Sequence, residues 1–173
     1  RSKGMNTDRA TVFVVDDDAS VCRALSRLVQ TAGLNVRTYA SAREFLNQDH
    51  QSRESPGCLV LDIRMPDLSG LDLQTALANR NIQVPIVFIT GHGDIPTSVQ
   101  AMKGGAVDFL TKPFKNKDLL GAIQEAIRTS ERLKVSQAER AGVRRHLESL
   151  TAREREVLDL VVKGMLNKQI AAE

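Results

Sequence analysis

The most constraining feature of this chain is a repeated alternation. Short runs that are apolar at almost every position are followed by stretches with apolar residues at helical spacing, five times in about 120 residues. The runs Val12–Val15, Cys58–Leu61, Ile86–Ile89 and Ala106–Leu110 stand out. An uninterrupted apolar strand has no solvent face, which marks a parallel strand covered by helices on both sides. Such alternation predicts an α/β fold, a doubly wound five-stranded parallel sheet, with any site at the carboxyl ends of the strands.

Local signals divide this pattern into elements. Strands are predicted at Thr11–Asp16, Asn35–Tyr39, Cys58–Asp62, Ile86–Thr90 and about Ala106–Leu110. The first helix runs from Ala19 to Ala32 and stops at Gly33. The second opens on a capping box, Ser41 with Glu44. The third follows Gly70 and turns Leu71, Leu73, Ala76 and Leu77 inward. The fourth has Pro96 in its first turn, where a missing amide costs little, and ends near Gly104-Gly105. The fifth begins after Pro113.

What ends the strands carries the chemistry. The first leads into Asp16-Asp17-Asp18, the third ends at Asp62, the fourth at Thr90, and the fifth leads to Thr111-Lys112-Pro113. In neighbouring parallel strands these ends share one sheet edge. Clustered carboxylates repel, so some hold their protons tightly unless a cation binds. Mg²⁺ suits Asp16, Asp17 and Asp62, being a hard ion that takes oxygen ligands and keeps waters a phosphate can replace. Zinc does not, because no His or Cys has ligand spacing here. Asp62 is placed to act as a nucleophile that forms an acyl phosphate. Thr90 donates its hydroxyl to one phosphoryl oxygen and Lys112 pairs with another. Asp18 is expected to cap the first helix instead.

Composition excludes several classes. No apolar stretch approaches the roughly 20 residues of a membrane span. Cys22 and Cys58 form no CxxC pair and no disulfide framework, which fits a reducing, cytoplasmic setting. Aromatics at 3% disfavour a base-stacking single-strand binder. The net charge of +3 is uneven: residues 1–127 carry 14 basic and 14 acidic side chains, residues 128–173 carry 10 and 7. A mildly basic C-terminal part is compatible with nucleic acid nearby. Arg1-Ser2-Lys3-Gly4 before Met5 reads as an expression scar.

Here the motifs resemble a known family. Val14–Asp18, Leu61–Gly70, Ile89–Asp94 and Asp108–Phe114 are similar to the receiver domain of two-component response regulators, and the Gly-His-Gly-Asp turn most resembles the FixJ branch of the FixJ/NarL group. The resemblance covers about residues 10–128. It implies a flavodoxin-like sheet of order 2-1-3-4-5 with Asp62 as phosphoacceptor. It also implies that Asp17, Asp62 and the Arg64 backbone carbonyl ligate Mg²⁺, with Asp16 helping through water, and that Lys112-Pro113 is a cis peptide. Phe109 takes the position of the family's switch aromatic, against a plain reading of it as core. The dimer face would be the fourth helix, fifth strand and fifth helix, with Val99, Met102, Lys103, Phe109 and Leu119 as candidates.

Residues 129–146 are charged, contain no proline, and read as the fifth helix running on as a linker, against a flexible solvated alternative. Residues 147–173 resemble the start of a LuxR-type helix-turn-helix domain: Thr151 and Glu154 form a capping box, Val157, Leu158, Val161 and Val162 a stripe, Gly164 a stop, and Asn167 the cap of a second helix. The chain is expected to be cut inside that domain, before its recognition helix. The partners implied are a sensor histidine kinase, double-stranded promoter DNA for the parent protein, and a second copy on phosphorylation; no membrane is implied. Two rivals remain. A haloacid dehalogenase-type phosphatase needs a second acid two residues after the nucleophile, where this chain has Arg64. A receiver-like interaction module not controlled by phosphorylation would not need Asp16, Asp17, Asp62, Thr90 and Lys112 together.

Overall fold

The computed structural model describes residues 10–48 and 56–170; expectations for Arg1–Gly4, Met5 and Ala171–Glu173 lie outside these residues. The chain divides into two compact units, residues 1–132 and 133–173.

The first unit holds β1 (Thr11–Val15), α1 (Ala19–Thr31), β2 (Asn35–Tyr39), α2 (Ala42–Leu46), β3 (Pro56–Asp62), α3 (Gly70–Asn79), β4 (Ile86–Thr90), α4 (Ile95–Lys103), β5 (Asp108–Thr111) and the first part of α5 (Asn116–Ser149). The sheet is parallel throughout, with strand order β2-β1-β3-β4-β5. Register brings the strand ends level: Val15 pairs with Leu61, Asp62 with Ile89 and Thr90 with Thr111.

Successive strand side chains feed two separate cores. Phe13, Val15, Leu59, Leu61 and Phe88 pack with Leu73, Leu77 and Ala101 of α3 and α4, while Val12, Val14, Val60, Val87 and Ile89 pack with Leu25 and Val29 of α1 and Leu119, Ile123 and Ala126 of α5. Leu119 is therefore fully buried, which removes it from the exposed dimer candidates. Its position on the inner stripe of α5 turns it toward the sheet.

Helix starts follow the local signals. The Asp18 carboxylate accepts from the Ser20 amide at 2.8 Å, and Asp94 accepts from the Thr97 amide at 2.7 Å ahead of Pro96. Hydrogen bonds from the Ser20 and Thr97 hydroxyls, and after them from these amides, hold both carboxyls below their usual range. Ser41 caps α2, but Glu44 reaches the amide of Ala40 rather than that of Ser41. A full capping box forms instead at Ser69 and Asp72, at the start of α3.

Strand ends differ by a residue or two from the sequence expectation, for identifiable reasons. β1 stops at Val15 because the Asp16 carboxylate already accepts the Asp18 amide at 2.8 Å and starts the turn. β5 begins at Asp108; the Ala106 amide closes α4, and the Val107 amide makes the first bond to β4, donating to the Ile86 carbonyl at 2.8 Å.

α5 continues unbroken to Ser149, as its proline-free charged sequence predicts. In the second unit, α6 (Ala152–Ile170) opens with the expected box: the Thr151 amide donates to Glu154 at 2.8 Å, and the Glu154 amide to Thr151 at 3.3 Å. The expected break does not occur. α6 passes through Gly164 to Ile170, with position 167 inside the helix and not at its start. A glycine inside a helix costs only about 1 kcal/mol relative to alanine. A turn would have to be fixed by packing, yet Val157, Leu158, Val161 and Val162 are exposed along α6.

Candidate functional site

The level strand ends put four charged side chains together. One carboxylate oxygen from each of Asp16, Asp17 and Asp62 lies within 4.8 Å of the others. The Lys112 ammonium donates to Asp16 Oδ2 at 3.0 Å and sits 4.0 Å from Asp62 Oδ1. Asp16 is spanned by two donors, since its Oδ1 takes the Asp18 amide. Asp16 and Asp62 are buried, whereas Asp17 is exposed. The set is thus a half-open bowl, with two carboxylates in its floor and one on its rim. Among the described residues it is the one cluster of acidic, His or Cys side chains with metal-ligating proximity.

Burial dominates the chemistry of Asp62. It pushes the carboxyl up to about 6; Lys112 pulls the other way, and Asp16 and Asp17 push further up. The folded state therefore holds this proton between about pH 4 and pH 6, where the unfolded chain has lost it. The sign follows. The contribution of this group to stability is greatest at low pH and falls as pH rises through 6. We expect the metal-free protein to lose about 1 kcal/mol or less between pH 5 and pH 7, after allowing for solvent screening at the open edge. Thermal melts with and without millimolar Mg²⁺ check this. The loss should shrink with Mg²⁺ and vanish in Asp62→Asn.

The other expected residues lie around the bowl. Thr90 is fully buried at the end of β4. Its hydroxyl donates to the His92 carbonyl and accepts from the His92 amide, both at 3.3 Å, so it engages the following turn. The Lys112 amide donates to the Thr90 carbonyl at 2.7 Å, which ties the two strand ends together. Lys112-Pro113 is cis. Arg64 is exposed just beyond Asp62. Phe109 is half-buried on β5, 6.5 Å from Phe88 ring to ring.

Two supporting residues escaped the sequence reading. A Cβ on Gly70 would lie 2.3 Å from the Asp62 carbonyl oxygen, so α3 packs directly behind the central carboxylate. A Cβ on Gly93 would lie 3.1 Å from the Phe109 ring and 2.5 Å from Thr111 Cγ2, so the turn after Thr90 closes over that ring. Each glycine was legible only as a turn or helix-start residue, because the atoms it meets belong to a different element.

An open parallel sheet with an acidic bowl and a lysine at its carboxyl edge marks an α/β protein of the doubly wound class, with its polar cluster where such folds carry their sites. Comparison with known proteins narrows the class. Residues 12–124 match the response regulator receiver domain, and residues 148–173 match the luxR family of bacterial regulatory proteins. Nodulation protein W of Bradyrhizobium diazoefficiens is 49% identical over 100% of this chain and 77% of its own length. The transcriptional regulatory protein FixJ of the same organism is 40% identical over 96% of this chain and 80% of its own. The solved structure of the response regulator StyR, 44% identical, superposes with a TM-score of 0.80 over 95% of this chain and 82% of that one. The chain belongs to the two-component response regulators, with a receiver domain joined to LuxR-type DNA-binding sequence.

Proposed function

We propose that Asp62 accepts a phosphoryl group from a sensor histidine kinase, with Mg²⁺ held by Asp16, Asp17, Asp62 and the Arg64 backbone carbonyl. The receiver spans residues 10–128, a helical linker 129–146, and the DNA-binding part begins at 147. The observation that carries the reading is the meeting of Asp16, Asp17, Asp62 and Lys112 within a few ångströms, from three different strand ends. Three carboxylates and one ammonium leave a net negative bowl that a divalent cation would neutralise. The bound ion would offset charge on the incoming phosphoryl oxygens.

The remaining work falls to the chain. The Asp62 carboxylate attacks phosphorus; a P–O bond forms, the P–N bond to the kinase histidine breaks, and the imidazole leaves with the electron pair. Lys112 then exchanges Asp16 for a phosphoryl oxygen, and Thr90 turns from His92 toward another. Charge-assisted hydrogen bonds contribute about 1.5–3 kcal/mol each. Two of them give roughly 3–6 kcal/mol, comparable with the roughly 5.5 kcal/mol needed to move a population from 1:99 to 99:1. As Thr90 moves, Phe109 occupies the space it leaves.

The switched surface is α4 and β5. Ile95, Val99 and Met102 are 79%, 44% and 46% exposed along α4, beside Lys103 and Phe109, and form the face for a second copy. Dimerisation would bring the DNA-binding parts of a cytoplasmic regulator onto promoter DNA. No helix among the described residues is long and apolar enough to cross a membrane. The protein acts as a phosphoacceptor and not as a turnover enzyme, so phosphomonoesters should show no hydrolysis above background.

We expect Thr90→Ala to take phosphate from acetyl phosphate while dimerising at least about tenfold more weakly, the equivalent of one lost charge-assisted bond. Light scattering before and after labelling checks it. Dimerisation equal to the parent would remove Thr90 from the switch. A chain that dimerises but never gains phosphate mass would instead favour an interaction module.

A further inference from the structure

α4 is held to the fold in an unusual way. Its one buried residue is Ala101, whereas α1, α3 and α5 each bury three or more. Its C-terminus closes as a Schellman turn: the Ala106 amide donates to the Ala101 carbonyl at 3.2 Å, the Gly105 amide to the Met102 carbonyl at 3.0 Å, and Gly105 has φ +94°. The Ala101 carbonyl also accepts a second bond, from Gln74 Nε2 of α3 at 3.0 Å. Gln74 is 8% exposed, an uncommon burial for an uncharged amide, and it lies 27 residues away in sequence. Gly104 completes the arrangement. A Cβ there would stand 2.5–2.7 Å from three atoms of the Gln74 amide, although the backbone at 104 (φ −73°, ψ 0°) suits any residue.

We infer that Gln74 is a latch from α3 to the C-terminal cap of α4, a positioning residue that sets how readily α4 adopts its dimer-forming arrangement. The inference rests on the proposed role of α4 as the dimer face. Physically, a side chain fixed on a well-buried helix caps the end of a poorly buried one. Without it, the carbonyl of Ala101 keeps only its own turn, and the one fully buried side chain of α4 is a methyl group. Gln74 does not touch the acidic bowl, so it biases the conformational equilibrium without entering phosphoryl transfer.

The test uses two variants that disturb the latch from opposite sides. Gln74→Leu keeps the volume and removes the donor. Gly104→Ala leaves the donor but pushes the amide away, and as a plain helix substitution it would stiffen α4. In the full chain without phosphate, both should speed hydrogen exchange at the Gly105 and Ala106 amides by about 2- to 12-fold, the range one net hydrogen bond corresponds to. Amides in β3 should keep wild-type protection. The dimer association constant should rise by a similar factor, with labelling by acetyl phosphate unchanged. Slower exchange in Gly104→Ala, unchanged exchange in Gln74→Leu, or acceleration spread over the whole domain would overturn the latch. A wild-type chain that neither labels nor dimerises would remove the dimer-face reading, while the exchange measurement still decides the latch on its own.

Discussion

Asp62→Asn is expected to abolish covalent labelling by acetyl phosphate, and Asp62→Glu is expected not to restore it. The amide is no nucleophile, and the longer acid carries its carboxylate one carbon–carbon bond beyond the Asp16 and Lys112 partners that now face it. Intact mass gives the outcome directly, since one phosphoryl group per chain appears or does not. Chelation of divalent ions should suppress labelling of the parent protein equally. The same Asn variant should be the more stable protein when metal-free at neutral pH, because it removes a carboxylate whose ionisation burial opposes and two acidic neighbours oppose further. Loss of labelling together with a gain in stability separates a charged functional site from a structural ion pair, whose disruption would lower stability. Full labelling of the Asn variant would falsify the assignment.

Gly70→Ala is expected to damage the same site from behind. The added methyl carbon would sit 2.3 Å from the Asp62 carbonyl oxygen and 3.0 Å from the Ile63 Cα, and both neighbours are backbone atoms of buried residues. Neither can swing aside, so either the end of β3 or the start of α3 must move. The Gly70 amide, which donates to the Ile63 carbonyl at 2.9 Å, moves with them. Overpacking of this kind costs about 1–3 kcal/mol, and the helical gain from alanine is smaller. A carboxylate displaced by about 1 Å loses on the order of 10²-fold in rate. Urea melts and the rate of acetyl phosphate labelling measure the two effects. Gly121→Ala, where a Cβ meets nothing within 4 Å, is the control and should be neutral or slightly stabilising. Equal behaviour of the two variants would show that α3 does not brace Asp62.

The acidic bowl was legible because parallel strands impose a rule on sequence. Each strand must be apolar to be covered on both faces, so the first polar residue after each run marks the same edge. Asp16, Asp62 and Thr90 are found by that rule, Lys112 lies one residue past Thr111 at the same edge, and capping boxes such as Thr151 with Glu154 are found because their bonds span three residues. That Lys112 rests on Asp16 at 3.0 Å was not read from the sequence. Leu119 was expected on the surface and lies in the core. Both outcomes depend on which long-range neighbour wins, and local sequence does not record that competition. Gly164 reads as a stop, yet α6 runs through it, since a turn there would have to be held by packing that the exposed stripe of α6 does not supply.

Sequence alone therefore determined the order of strands and helices, the edge at which the carboxylates meet, and the chemistry those carboxylates favour. Periodicity, caps and strand-end polarity are short-range constraints that every fold of this chain must obey. Only the tertiary structure decided that Gly70 braces Asp62, that Lys112 rests on Asp16, and that Gln74 caps α4. Those contacts join segments up to 96 residues apart, and their geometry exists only once the two cores have closed on the sheet.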